Sequence, residues 1–340
     1  MPRSGAKTAL LFLVGAALLA ALVAYVGVGR VVDALRLASP VYLGFAVASY
    51  AIFFLVRGIR WRMLFAKSAP DVRLSSTTAI TAVGWLANSI IPLKGGDVLR
   101  AALISKREKV ALGTSASTVA LERVLDILGL AIVALVGFLL IPPSDAMPPA
   151  VGRALKIAWI LPLLGLLILG VLVWLRKPTM RAAERTLGTW GKFGAGLCSF
   201  LDTTLAAVEA LARRPILLAQ LLPMTALVSV AQALVFAFLV MAFIPGAPFL
   251  LAFAGGALFL LSFVISITPG NVGTYEAAFG AVFIALGVPA DVAVPAAILT
   301  HVTTTLIVAV LGSLGMLSLG LDGKKLAWRP ARVPQLEGSP

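Results

Sequence analysis

One Pro–Gly break occurs twice in this chain, each time inside a hydrophobic stretch. The first copy reads Ser89-Ile-Ile-Pro92-Leu-Lys94-Gly95-Gly96-Asp97-Val-Leu-Arg100, and the second reads Ser266-Ile-Thr-Pro269-Gly270-Asn-Val-Gly273-Thr-Tyr-Glu276. The prolines lie 177 positions apart, and so do Gly96 and Gly273. Proline removes a backbone donor and glycine frees the dihedrals, so each copy opens a helix. Lipid cannot satisfy the backbone groups set free, so such breaks persist only where protein covers them or where they line a cavity. Broken segments at corresponding places in two halves of a chain point to a transporter site near the bilayer midplane.

The composition fits a membrane setting. Hydrophobic residues make up 60% of the chain and charged residues 12%, against about a quarter charged in soluble domains. Six apolar stretches, at 9–29, 41–56, 112–141, 154–175, 216–244 and 292–319, approach the roughly 20 residues needed to cross a bilayer. The second is short and is expected to borrow from 57–64. The stretch 9–29 follows Arg3 and Lys7 as a signal peptide would, but it is long for one and reads as a retained span.

The segments carrying the breaks, 77–103 and 249–286, read as re-entrant hairpins. After Pro92 only about ten residues precede the charged run Lys106-Arg107-Glu108-Lys109, too few to cross back. In the second segment the arm 249–268 is long enough to span alone, so two full spans remain the alternative there.

The fold class is therefore an all-α polytopic membrane protein: about six spanning helices plus two re-entrant broken-helix hairpins in an inverted-topology repeat. Residues 1–321 form a single transmembrane domain, with a first repeat at 9–141 and a second at 154–320. Three spans separate the hairpins, so the two must enter from opposite faces. This layout puts 23 of the 28 Lys and Arg residues on the side of both termini, which makes that side cytoplasmic and the location the inner (cytoplasmic) cell membrane. Residues 176–214 read as an amphipathic cytoplasmic segment, lying either on the membrane face or packed under the bundle. Residues 322–340 are polar and proline-bearing, as expected of a disordered cytoplasmic tail.

Candidate functional residues cluster at depth. Glu122, Arg123 and Asp126 sit about 15 Å into the third span, where ionisable groups mark a site by default. Glu122 and Asp126 share a face at i, i+4 and Arg123 reaches Asp126 at i, i+3. An internal clasp holding helices together is the alternative role. His301, the only histidine, reaches a similar depth in the last span, either as a proton or phosphate partner or as a core residue bonded to Thr303 or Thr304.

The turns at Gly96-Asp97 and Gly273-Thr274 precede short helical arms, with Asp97 and Thr274 as candidate N-caps. Buried helix N-termini there suit an anion such as phosphate. Lys94 and Arg100 add charge, and Glu276 could pair with Arg100 or Arg123 or take a proton. Two structural kinks without ligand are the plain reading. Arg57, Arg60 and Arg62 interleave with Trp61, a pattern that grips lipid headgroups or simply anchors the helix end.

Other chemistries lack residues to carry them. Cys198 is the only cysteine, which excludes a disulfide framework and a thiolate metal cluster. There is no Walker loop, no His/Cys metal spacing and no G-x-S-x-G elbow. No catalytic residue, metal or cofactor is expected. The net charge of +14 lies in loops between spans, so no nucleic-acid partner is expected either.

The ordered set of motifs resembles a known family. Arg57–Trp61, Asn88 through Pro92, Gly96, Asp97 and Arg100, then Glu122-Arg123-x-x-Asp126, then Thr268-Pro269-Gly270-x-x-Gly273-x-x-Glu276 are similar to the flippase-like membrane domain of lysylphosphatidylglycerol synthase/flippase proteins and stand-alone relatives. The resemblance covers roughly residues 5–320. It implies handling of a lipid, in some members transfer of an aminoacylated phospholipid between leaflets. The chain is expected to lack the soluble aminoacyl-transfer domain, and Lys94 stands where the family pattern suggests Arg.

The reading that follows is a translocator of a phosphate-bearing lipid, aminoacylated or polyprenyl-linked. Its expected partners are a membrane phospholipid or lipid-linked anion, with a homo-oligomer or a separate lipid-modifying enzyme also open. A membrane-embedded transferase and a non-transporting scaffold are the alternatives. The topology is tested by single cysteines placed at Lys94 and Asn271 in a Cys198→Ser background. They are expected to react with impermeant reagent from opposite faces. Labelling of both from one face contradicts the inverted repeat.

Overall fold

The computed structural model describes residues 28–65, 69–91, 95–139, 167, 170–171, 173–262 and 268–321. Most of the first expected span, the body of the fourth and the tail at 322–340 lie outside these residues, as do Pro92 and Lys94. The described residues are helical and contain no strand. In chain order the helices are α1 (Val28–Arg36), α2 (Pro40–Phe65), α3 (Leu74–Asn88), α4 (Gly95–Glu108), α5 (Leu112–Leu139), α6 (Arg176–Leu187), α7 (Gly191–Ala212), α8 (Pro215–Phe243), α9 (Phe249–Ser262), α10 (Thr274–Ala285) and α11 (Ala290–Leu319). Short 3₁₀ turns occur at Gly188–Trp190 and Pro269–Asn271.

Length sorts these helices into two groups. Helices α2, α5, α8 and α11 have 26, 28, 29 and 30 residues, so each is about 39–45 Å long and exceeds the hydrocarbon thickness. Of these, α2, α8 and α11 are apolar enough to be plain membrane-spanning candidates. The arms α3, α4, α9 and α10 have only 15, 14, 14 and 12 residues. At about 18–23 Å each falls short of a crossing. The arm α10 is the shortest of the four.

Packing explains why these elements assemble. Helix α2 lies along α8 at the centre, α3 packs on α11, and α9 packs on α5. The first arm of each broken segment thus packs on a long helix distant in sequence. Close approach depends on glycine. A Cβ at Gly96 would lie 2.1 Å from the Gly84 carbonyl oxygen, one at Gly58 2.1 Å from Thr78 Oγ1, and one at Gly315 2.8 Å from the Ala79 carbonyl oxygen. These contacts seat α3 against α4, α2 and α11. Small residues serve this way where helices meet in lipid, because van der Waals contact drives their association.

Two apolar cores result. One joins α2 to α8–α11 and includes cross-helix aromatic contacts such as Tyr42–Phe238 (6.5 Å) and Phe236–Phe259 (5.2 Å). The other lies at the opposite end of α2, around Trp61, Phe65, Ile80, Ile104 and Leu211. The segment 176–214 folds as a helix pair. Arg176 bridges to Asp202 (2.7 Å) and Glu209 (3.2 Å), tying α6 to α7. Helix α7 packs under α5 and α8 with Leu205 and Leu211 buried, so packing beneath the bundle is the arrangement found for this helix. The far end of hairpin one is latched by Glu108, which accepts from Ser76 (2.5 Å) and Arg73 (3.2 Å). Partial burial raises the Glu108 pKa, but these donors outweigh it and hold the carboxyl below its ordinary range.

Candidate functional site

The two breaks converge on one cavity of about 480 Å³. Asn88, Ser89, Asp97 and Val98 of hairpin one line it, and Gly270, Asn271 and Tyr275 of hairpin two line it from across. The long helices close the remaining sides: α2 with Tyr50 and Arg57, α5 with Arg123, Asp126, Ile127 and Leu130, α8 with Gln232, and α11 with His301 and Thr304. One part of the wall is charged and polar while another is apolar, so the cavity matches an amphiphile better than a free ion.

A buried charge network forms the polar wall. Asp126 accepts from Arg57 Nη2 at 2.5 Å and also from Arg60 Nη2. Arg60 Nη1 lies 3.5 Å from Thr225 Oγ1 on α8. Glu122 pairs with Arg100 Nη2 and sits 3.7 Å from Arg57 Nε. Arg100 Nη2 also donates to Thr81 Oγ1 at 3.3 Å, and its guanidinium lies 4.2 Å from the Trp61 ring centroid, a cation–π contact. Arg123 grips Asp97 with two bonds, Nε to Oδ2 at 2.8 Å and Nη2 to Oδ1 at 2.5 Å. Such a two-pronged pair fixes orientation as well as charge.

Helix periodicity builds the network. Arg57 and Arg60 face α5 at i, i+3 on α2, and Glu122 and Asp126 face back at i, i+4. Four guanidiniums (Arg57, Arg60, Arg100, Arg123) meet three carboxylates (Asp97, Glu122, Asp126), leaving one positive charge over. Arg57, Arg60, Arg100 and Glu122 are at most 1% exposed, whereas the Arg123 side chain is 27% exposed. Nε of Arg57 and Nε of Arg60 have no hydrogen-bond partner among the described residues. Buried donors of this kind are costly to leave unmade, and Arg57 borders the cavity.

The opposite wall holds a second pair. His301 Nδ1 lies 2.7 Å from Glu276 Oε1, and the Tyr275 ring stacks on the imidazole at 4.2 Å and 10°. Glu276 Oε2 accepts from Gly273 N at 2.8 Å, so Glu276 caps α10 from its own first turn. Gly273 has φ +79° and Gly270 φ +64°, which only glycine adopts without strain.

Several sequence expectations change in detail. Arg57 and Arg60 are fully buried among protein side chains, because α2 continues to Phe65 and turns both toward Asp126 of α5. Arg100 and Glu122 stand behind the cavity wall rather than in it. Gly96 serves arm packing, since its backbone abuts Gly84 and Asn88. The cap of α10 is Gly273 rather than Thr274. Asp97 lies in the first turn of α4, and Asn88 Oδ1 takes the Gly96 N–H at 2.8 Å. The donors at Gly96 and Gly273 are thus engaged by the chain itself. Glu276 pairs with His301 and not with Arg100 or Arg123. Thr304 donates to the His301 carbonyl, not to its ring. Glu122 is buried in protein, and Arg123 and Asp126 line the cavity.

Gln232, Tyr275, Tyr50 and Trp85 line the cavity but were not singled out from sequence. Gln232 carried a usable signal, as an amide deep within the apolar stretch 216–244. Tyr275 adjoins Glu276 in the second break. Tyr50 and Trp85 look like ordinary core residues in sequence.

Comparison with known proteins agrees with this architecture. The family model described as the lysylphosphatidylglycerol synthase TM region matches residues 9–312. The chain belongs to that family. A UPF0104 membrane protein of Methanothermobacter thermautotrophicus is 30% identical over 139 residues, 39% of this chain and 41% of that protein. A UPF0104 membrane protein of Methanocaldococcus jannaschii is 26% identical over 122 residues, covering 35% and 36%. Glycosyltransferase AglD of Haloferax volcanii is 29% identical over 122 residues, 35% of this chain and 20% of that protein. The matched region thus spans about two-fifths or less of these curated relatives. No solved structure matches.

Asp126 offers a direct check on the charge network. Asp126→Asn strips two buried guanidiniums of their shared partner, and the expected cost is about 3–5 kcal/mol. Replacing Arg57, Arg60 and Asp126 together by Met, Met and Leu is expected to be milder. Thermal unfolding in detergent measures both. A triple variant less stable than the single one contradicts the assignment.

Proposed function

We propose that this protein moves a phosphate-bearing lipid between leaflets, with the headgroup passing through the cavity between the hairpins. One observation carries the proposal: a cavity bounded by both breaks, with Arg57 and Arg123 in its polar wall, a network of four guanidiniums and three carboxylates in and behind that wall, and an apolar remaining wall. Arg123, the most exposed of the four arginines, and Arg57 would meet the phosphate, while Ile127, Leu130 and Val98 would meet the first acyl carbons. Arg60, Arg100 and Glu122 would position these groups from behind. The family match and the glycosyltransferase relative support a lipid-related role, with an aminoacylated or polyprenyl-linked phosphate as the substrate class. The reading also has both termini cytoplasmic in the cell membrane and the hairpins entering from opposite faces, so the cavity can open to either side by rocking of one half against the other.

Lipid exchange in proteoliposomes tests the reading. Vesicles of phosphatidylcholine and phosphatidylglycerol carry a trace of NBD-labelled phosphatidylglycerol, and dithionite quenching reports its leaflet. Wild type is expected to accelerate exchange over protein-free vesicles. Arg123→Gln loses a charge-assisted contact worth about 1.5–3 kcal/mol, so exchange is expected to slow by roughly 10–100-fold. Ile127→Trp fills the cavity without altering charge and is expected to slow exchange comparably. Wild-type exchange no faster than in empty vesicles contradicts the proposal, as does full activity in both variants.

A further inference from the structure

The Glu276–His301 pair has no task in the anion site as described above. His301 lines the cavity wall with its side chain 12% exposed, and Glu276 stands behind it with its side chain 3% exposed. Glu276 uses one oxygen for Gly273 N and the other for His301 Nδ1. A carboxylate engaged in this way accepts both bonds, so Nδ1 carries the imidazole proton. The other ring nitrogen, Nε2, makes no hydrogen bond among the described residues, and His301 borders the cavity. Nε2 is therefore where a further proton can join from the cavity side, while Tyr275 holds the ring in place by stacking.

Charge balance gives that proton a role. The four arginines exceed Asp97, Glu122 and Asp126 by one charge. Glu276 beside a neutral imidazole cancels the excess, and the whole site is neutral. A proton on Nε2 restores one positive charge, which a singly charged phosphodiester then balances. Unbalanced charge in a dry interior is expensive, so each of the two ligands favours entry of the other. We propose that the cavity takes up an anionic phosphodiester headgroup and a proton together, with His301 as the proton carrier, so that lipid movement is coupled to proton movement in the same direction. This rests on the lipid-translocation reading above. The step forms one Nε2–H bond with a proton supplied by water at the cavity mouth, and breaks it on release. No electrons are transferred.

Few other groups can titrate around this imidazole. Tyr275 and Glu276 face it from α10, and Tyr50 and Arg57 of α2 share the cavity. Helices α3 and α8 carry no ionisable residue. Asp33 and Arg36 of α1 pair with each other at the surface, 3.8 Å apart. Asp291 lies ten residues earlier on α11, about 15 Å along the axis. Across the cavity are Asp97, Arg123 and Asp126. His301 is the only histidine, and imidazole is the side-chain type that ordinarily exchanges a proton near neutrality.

The same proteoliposomes test the coupling when exchange of NBD-phosphatidylglycerol is followed between about pH 5.5 and pH 8, where imidazoles ordinarily titrate. Wild-type exchange is expected to be at least about tenfold faster at the acid end, since occupancy of one proton site falls about tenfold per pH unit on its alkaline side. An imposed pH gradient is expected to bias the label toward the leaflet on the alkaline side. His301→Gln keeps a polar ring-sized group but cannot titrate, and its profile is expected to be flat within about twofold. Glu276→Gln keeps a cap acceptor but removes the carboxylate charge beside the ring, and its acceleration at the acid end is expected to be smaller than that of wild type. The wild-type gradient response stands as evidence even if a variant fails to fold. Wild-type exchange that is rapid, flat in pH and indifferent to the gradient overturns the coupling and leaves the translocator reading intact. Absence of wild-type exchange at every pH overturns the reading and the coupling with it.

Discussion

The site depends on the pairing of α2 with α5 through buried charge. Asp126 holds Arg57 and Arg60 at once, and Glu122 holds Arg100. Ion pairs at this depth are weak evidence for net stability, because removing both partners from water costs about as much as their attraction returns. Their effect is specificity. Any rotation or slip of α2 against α5 would strand a guanidinium or a carboxylate in an apolar interior. The network therefore fixes the register of α2, α4 and α5, and through Arg123 and Asp97 it fixes the first turn of α4.

Glycine contacts complete what the charges begin. Gly84 and Gly96 let the arms of hairpin one touch backbone to backbone, and this closeness carries Arg100 across Gly84 to reach Glu122. The second hairpin is held differently, by the Glu276 cap, the Thr268–Thr274 hydrogen bond at 2.8 Å and aromatic packing around Phe259 and Phe279. The two halves of the chain thus differ in chemistry. One presents arginine to the cavity and the other presents a histidine–carboxylate pair. That asymmetry makes opposite walls with different charge behaviour.

Much of this plan was legible in the sequence because lipid leaves few options. A proline and a glycine in an apolar stretch had to mark a break, and Glu122, Arg123 and Asp126 at i, i+1 and i+4 had to turn inward. The destination of Arg57 and Arg60 was not legible. A basic cluster following an apolar stretch looks the same whether the helix ends there or continues, and only packing on α5 distinguishes the two. The partner of Glu276 was hidden for a similar reason, since His301 lies 25 residues away and no local pattern links them. Tyr50 and Trp85 gave no signal because an aromatic residue lining a cavity and one filling a core have the same sequence character.

The central claim is that an anionic lipid occupies the space between the hairpins. Photo-crosslinking tests it most directly, using phosphatidylglycerol with a diazirine near the headgroup, reconstituted with wild-type protein and mapped by peptide mass spectrometry. The account predicts adducts at Ile127 and Leu130, which line the cavity, and their loss when unlabelled phosphatidylglycerol is added in excess. Adducts confined to outward-facing residues such as Leu306, Leu314 and Leu317, with none inside the cavity, would contradict it.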